Sequence, residues 1–221
     1  MSNHSANLSK SADRTFYLTR IALLSTIAGV LMLLELRIPI FPEFYKLDLS
    51  YFPVVLATFS MGPAAGGATI LLKNLLAFLI GSTFKDSMGI GFIADAVVGL
   101  SFIIPAGLIY RKKHTKKGAM LALGISLLSA VAISAALNYW VVIPLYAKAF
   151  GLDAVLSMAQ AITDSMTDIK SIIVYATMPF NAMKWIVVSL LTLLTYKPLS
   201  SSILKKPKAR QASNAAEKES N

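Results

Sequence analysis

The feature that most limits how this chain can fold is a set of long apolar runs without charge. Residues 21–34 and 49–72 contain no charged side chain at all. Soluble domains carry roughly 25% charged residues, whereas this 221-residue chain has 14%, with 56% hydrophobic. Too little polar surface is available to face water, so the expected class is all-α: an integral membrane bundle. There is no cysteine, which excludes a disulfide framework, a thiolate metal site and a cysteine nucleophile.

A spanning helix needs roughly 20 apolar residues. Candidates lie at 16–37, 87–110, 118–147 and 171–196. The stretch 49–84 is broken by Gly62-Pro63, a strong turn signal. It reads as a short helix followed by a full one, 63–84, with Lys73 near its middle. Six transmembrane helices result. Residues 1–15 form an N-terminal tail, 16–197 the membrane domain and 198–221 a basic tail whose composition reads as disordered.

The net charge of +10 fits topology better than nucleic acid. With six crossings, the N-terminal tail, the basic run Arg111-Lys-Lys-His-Thr-Lys-Lys117 and the C-terminal tail share one side. The positive-inside rule makes that side cytoplasmic and puts both termini there. Arg37, Lys46, Lys85, Lys148 and Lys170 lie opposite. Loop 148–170 reads as a short helix capped by Asp153, either an interfacial helix or a lid. Tyr146 reads as an interfacial anchor.

Polar groups inside spans are costly and usually face a bundle interior with a function. Here they are Lys73, Asn74, Asp95, Asn138, Asn181 and Lys184. Counted at about 1.5 Å per residue from the external ends, they converge on the outer half to the midplane. Lys73 and Asp95 are either a structural ion pair or ligand contacts. Asn181 and Lys184, three apart, share one helix face. Pro179 frees the carbonyl near Tyr175, as suits an irregular helix lining a cavity. Such a site takes a neutral or weakly polar planar molecule, with its body buried and its rim hydrogen-bonded. Neither histidine lies in a span, which argues against a metal.

The glycines of 62–67 mimic a phosphate loop, but Ala68 replaces its lysine. There is no Gly-x-Ser-x-Gly elbow and no paired-carboxylate constellation. An enzyme is therefore not expected, and energy for transport must come from elsewhere.

The run Phe41-Pro-Glu-Phe-Tyr-Lys-Leu-Asp48-Leu-Ser-Tyr-Phe-Pro53, followed by Gly62-Pro63 and Lys73-Asn74, resembles the riboflavin-specific substrate-binding (S) component of energy-coupling factor (ECF) transporters. The segments from Asn138 to Tyr146 and Pro179-Phe-Asn181-Ala-Met-Lys184 are similar to that family's later motifs. The resemblance implies a six-helix riboflavin-binding subunit without a cofactor. Its partners would be a transmembrane coupling protein and two cytosolic ATPase subunits, with no nucleic acid. It implies that loop one, Ile38 to Asp48, covers the site and that Asn138, Asn181 and Lys184 bond the ring, with Leu47 and Asp48 contributing. It also implies docking through small residues four apart on the first helix, here Ala22 and Thr26, or Ser25 and Gly29. The same spacing also serves contacts within one bundle. Two alternatives stay open: an S component for another vitamin, and a stand-alone secondary transporter coupled through Lys73 and Asp95.

Overall fold

Helix boundaries fall where proline, glycine or charge interrupts the apolar runs. The computed structural model describes residues 2–80 and 89–202. The first helix, α1 (Ser2–Leu33), already includes most of the expected polar tail. Loop one follows. Pro39 and Pro42 prevent helix there, and the loop closes as a two-rung antiparallel hairpin, β1 (Leu36–Arg37) with β2 (Lys46–Leu47). Then come α2 (Tyr51–Met61), α3 (Pro63–Ile80) and α4 (Ile90–Lys112). The chain continues through α5 (Lys116–Phe150) and α6 (Leu152–Gln160). The last helix, α7, begins at Ile169 and runs to Ser202. Lys85, Asp86 and the tail beyond Ser202 lie outside the described residues.

Among the described residues, five helical stretches are long and apolar enough to cross a membrane: Asp13–Leu33, Pro63–Ile80, Ile90–Lys112, Lys116–Phe150 and Ile169–Thr195. The sixth expected crossing is different. α2 has 11 residues and rises only about 16 Å, half of a hydrocarbon core of about 30 Å. Loop one makes up the rest by folding inward, burying Phe41, Tyr45 and Asp48. Outward-facing leucines and valines, such as Leu23, Val30, Leu128 and Leu194, stay exposed, as a lipid-facing surface requires.

α2 occupies the middle of the bundle. It touches α1, α3, α4 and α7, and Tyr51 and the residues from Pro53 to Phe59 are buried. Lipid tails are as apolar as leucine, so close packing rather than water release holds such helices together. Gly99 on α4 supplies one close approach: the Tyr51 hydroxyl and ring edge occupy the space a Cβ would need. Gly62 supplies the turn out of α2 with φ 98°, a left-handed value that strains other residues.

Two π turns interrupt the long helices, Asn138–Val142 in α5 and Ile173–Thr177 in α7. Each ends two residues before a proline, Pro144 and Pro179. Proline lacks the N–H that the carbonyl four residues back would accept, and a π turn absorbs the misfit. The freed carbonyl expected at Tyr175 falls inside the second of them.

Two expectations are corrected. Asp153 does not cap α6: Gly151 occupies the N-cap and Asp153 lies in the first turn, where its charge favours the positive helix end. The capping box is at α7 instead. Asp168 Oδ1 accepts from Ser171 N at 2.8 Å, and Ser171 Oγ accepts from Asp168 N at 3.0 Å. Hydrogen bonding to Ser171, its backbone N–H first and its hydroxyl second, holds the Asp168 carboxyl below its ordinary value. Ser25 and Gly29 are not a docking face. Both are buried, and a Cβ on Gly29 would sit 3.2 Å from Leu76 Cβ of α3. Their small size serves contact within the bundle. Ala22 and Thr26 lie on the exposed side of α1, with Thr26 Oγ1 donating to the Ala22 carbonyl at 2.9 Å.

Candidate ligand-binding site

Two apolar clusters stack along the bundle. One surrounds α2 and includes Tyr51, Val54, Phe102, Ile103 and Trp185. The other lies beneath loop one and includes Phe41, Tyr45, Ile143, Val155, Ile173 and Phe180. Between them is a cavity of ≈ 390 Å³ lined by members of both. Its size falls within the usual range for small-molecule sites.

The cavity wall is aromatic near loop one. Tyr45 stacks on Phe180 at 5.0 Å between ring centroids, and Phe41 meets Phe180 edge-on at 5.3 Å. The Tyr45 hydroxyl hydrogen-bonds Thr177 Oγ1, tying loop one to the π turn of α7. At the floor, Trp185 lies flat against Phe102 at 4.0 Å and tilted against Tyr51 at 4.7 Å. Val155 and Met158 of α6 also line the cavity, so that helix contributes to its wall.

The expected residues separate into two groups. Asp48, Asp95, Asn138, Asn181 and Lys184 all line this one cavity. They come from loop one, α4, α5 and α7, so the fold gathers polar groups from distant sequence positions. Asn138 Nδ2 donates to the Ser134 carbonyl at 2.8 Å and Asn181 Nδ2 to the Thr177 carbonyl at 2.9 Å. Each bond runs four residues back, fixes the amide plane and uses one N–H. The second N–H and the Oδ1 of each amide remain for a ligand.

Leu47 and Lys73 do not line the cavity, which corrects both as candidate ligand contacts. Leu47 is part of β2, packed against the outer apolar cluster. Lys73 is fully buried at 0% exposure and bonds Asp95 Oδ2 at 2.7 Å and Asn74 Oδ1 at 3.2 Å. Of its two open readings, the ion pair is the one observed.

Lys184, which has no acid on its own helix, finds one on loop one. Its ammonium bonds Asp48 Oδ2 at 2.9 Å and lies 3.8 Å from Asp95 Oδ1. Tyr51 sits beneath both lysines, with Lys73 Nζ 4.3 Å and Lys184 Nζ 5.0 Å from its ring centroid. Its hydroxyl donates to the Asp95 backbone carbonyl at 2.5 Å. At the mouth, Lys46 pairs with Glu35 at 2.7 Å and Arg37 with Glu43 at 3.8 Å. Among the described residues, the charged side chains in and beneath the cavity are thus matched acid to base, which leaves no net charge there to attract an ionic guest.

Sequence reasoning missed Tyr45, Tyr51, Phe180 and Trp185 as lining residues. Phe180 stood beside Asn181 in a motif already singled out, and Tyr45 lay in an aromatic loop. Tyr51 stood at the end of that same run, but Trp185 gave no signal, because an aromatic residue in an apolar helix reads as core. Tyr146, read as an interfacial anchor, faces the cavity.

Comparison with known proteins adds four matches. Residues 16–196 match the model for "ECF transporter, substrate-specific component". The riboflavin transporter RibU of Staphylococcus aureus (strain TCH60) is 37% identical over 186 residues, covering 83% of this chain and 90% of the relative. The riboflavin transporter FmnP of Bacillus subtilis (strain 168) is 30% identical over 176 residues, covering 80% and 87%. A solved S component of a bacterial ECF transporter superposes with a TM-score of 0.67 at 32% identity, covering 87% of this chain and 99% of that one.

Proposed function

Because this chain belongs to the substrate-specific components of ECF transporters, we propose that it is the high-affinity riboflavin-binding subunit of an ATP-driven vitamin uptake system. It is a multi-pass protein of the bacterial plasma membrane. One observation carries the ligand reading: two fixed asparagine amides and one ammonium project into an aromatic chamber whose other charges are already paired. Riboflavin is neutral, and its ring system is planar with carbonyl and imide groups along one edge. Its ring system packs against Tyr45, Phe180 and Trp185, and Asn138, Asn181 and Lys184 bond that edge. A cationic vitamin would require an unpaired carboxylate or an open aromatic cage.

In this scheme the termini and the 111–117 loop face the cytosol, and the mouth beside Glu35 and Glu43 faces outward. Riboflavin enters there and loop one closes over it. A transmembrane coupling protein and two ATPase subunits supply the energy, with hydrolysis confined to those partners. The test is the absorption spectrum of the chain purified in detergent from riboflavin-grown cells. Flavin bands in near one-to-one ratio with protein are expected. A colourless protein that also fails to bind added riboflavin refutes the ligand. Riboflavin accumulation against a gradient in vesicles holding this chain alone refutes the division of labour.

A further inference from the structure

Four charged side chains from four elements form one chain of ion pairs at the cavity floor. Lys73 of α3 holds Asp95 of α4 at 2.7 Å, Asp95 lies 3.8 Å from Lys184 of α7, and Lys184 holds Asp48 of loop one at 2.9 Å. Two cations therefore compete for Asp95. Lys73 makes the short contact through Oδ2, and Lys184 stands beyond hydrogen-bond distance from Oδ1. The ammonium of Lys184 is thus left to Asp48 on one side and to the cavity on the other.

We propose that Lys73 and Asp95 are positioning residues. By satisfying Asp95, Lys73 keeps that carboxylate from capturing Lys184, and so keeps Lys184 aimed at the ligand and fastened to loop one. Lys73 itself does not line the cavity, so this role operates through Asp95 and not by contact with a guest. A buried carboxylate that loses its partner is strongly driven to find another cation. Lys184 is the cation already within 3.8 Å. A shift of about 1 Å brings it to the distance of a charge-assisted hydrogen bond. That movement draws the ammonium from Asp48 and frees the loop's only ion pair to the bundle floor among the described residues.

The part concerning ligand affinity rests on the riboflavin reading; the part concerning loop one does not. The experiment separates them. The chain has no cysteine, so Ile40→Cys, at an exposed loop-one position outside the cavity lining, accepts a single spin label. Label mobility is measured without ligand in lipid nanodiscs, and riboflavin affinity is measured by quenching of flavin fluorescence. Lys73→Met should mobilise the label and weaken riboflavin at least about tenfold, the equivalent of one ordinary interaction. Asp95→Asn should leave the label immobile, because Lys184 keeps Asp48. The double variant Lys73→Met/Asp95→Asn should restore the immobile label of the parent. Should Lys73→Met fail to fold, Asp95→Asn and the double variant decide the matter by the same label. A label mobilised equally by Asp95→Asn, or a double variant with a mobile loop, overturns the proposal, since a merely structural ion pair loses its role by either route. A parent protein that binds no riboflavin overturns only the ligand reading, because the label reports the loop regardless.

Discussion

Gly99→Ala adds one methyl group at the point where α4 meets the centre of the bundle. The new Cβ would overlap the Tyr51 hydroxyl and ring edge. Tyr51 has nowhere to retreat. It is 1% exposed and its other face leans on Trp185, itself flat against Phe102. Overpacking of this kind costs about 1–3 kcal/mol. Moving the ring also breaks the hydroxyl bond to the Asp95 carbonyl, adding about 1 kcal/mol. The expected loss of stability is therefore about 2–4 kcal/mol. Affinity should fall too, because the displaced ring lies beneath the Lys184 ammonium. A hydrogen bond from a charged group is worth about 1.5–3 kcal/mol, so riboflavin should bind about tenfold more weakly or worse. The control is Gly124→Ala on α5, where an added Cβ meets nothing within 4 Å. That change should be neutral or stabilising by up to about 1 kcal/mol through helix propensity. Thermal unfolding in detergent and flavin titration measure both. A Gly99→Ala protein with the parent's Tm and affinity refutes the packing account. So does a Gly124→Ala protein that suffers equally, since the effect would then be general to added methyls.

Lys184→Ala should weaken riboflavin more than Asn181→Ala, by about 1.5–3 against about 0.5–1.5 kcal/mol, as charged and neutral hydrogen bonds differ; unchanged titrations for both would remove them from the site. Thr26→Leu, on the exposed side of α1, should keep Tm and ligand binding but reduce co-purification with the coupling protein. Gly29→Leu should instead lower Tm by forcing α1 from Leu76 of α3. Normal assembly of the Thr26 variant would exclude that docking face. Asp168→Ala should lower Tm at neutral pH by removing the cap of α7. The Asp168 pKa is lowered in the folded protein, so its contribution is present above the ordinary carboxylate value of about 4 and fades as pH falls through the folded value. A Tm difference that persists undiminished in acid would contradict this.

The membrane class, the break at Gly62-Pro63 and the irregular helix before Pro179 were legible because each follows from local chemistry: hydrophobic length, or a missing backbone donor. The convergence of Asp95, Asn138, Asn181 and Lys184 was legible because a polar group in lipid has few places to go. What was not legible depends on contacts across long sequence separations. Nothing near Lys184 names Asp48, 136 positions away, as its partner. Nothing in the first helix distinguishes the inward pair Ser25 and Gly29 from the outward pair Ala22 and Thr26, since small residues suit either face. The roles of Lys73 and Leu47 also turned on which way a side chain points, which spacing alone does not give. The short helix before Gly62-Pro63 was legible too; the inward fold of the loop ahead of it was not, because an extended loop that dives into a bundle has no periodic signature.

The two π turns have an architectural effect beyond accommodating prolines. Each inserts one residue, and at 3.6 residues per turn one residue rotates everything past it by about 100°. In α5 and α7 the chamber residues past the turn, Ile143 and Tyr146 in one and Asn181 and Lys184 in the other, take their angular position from that insertion.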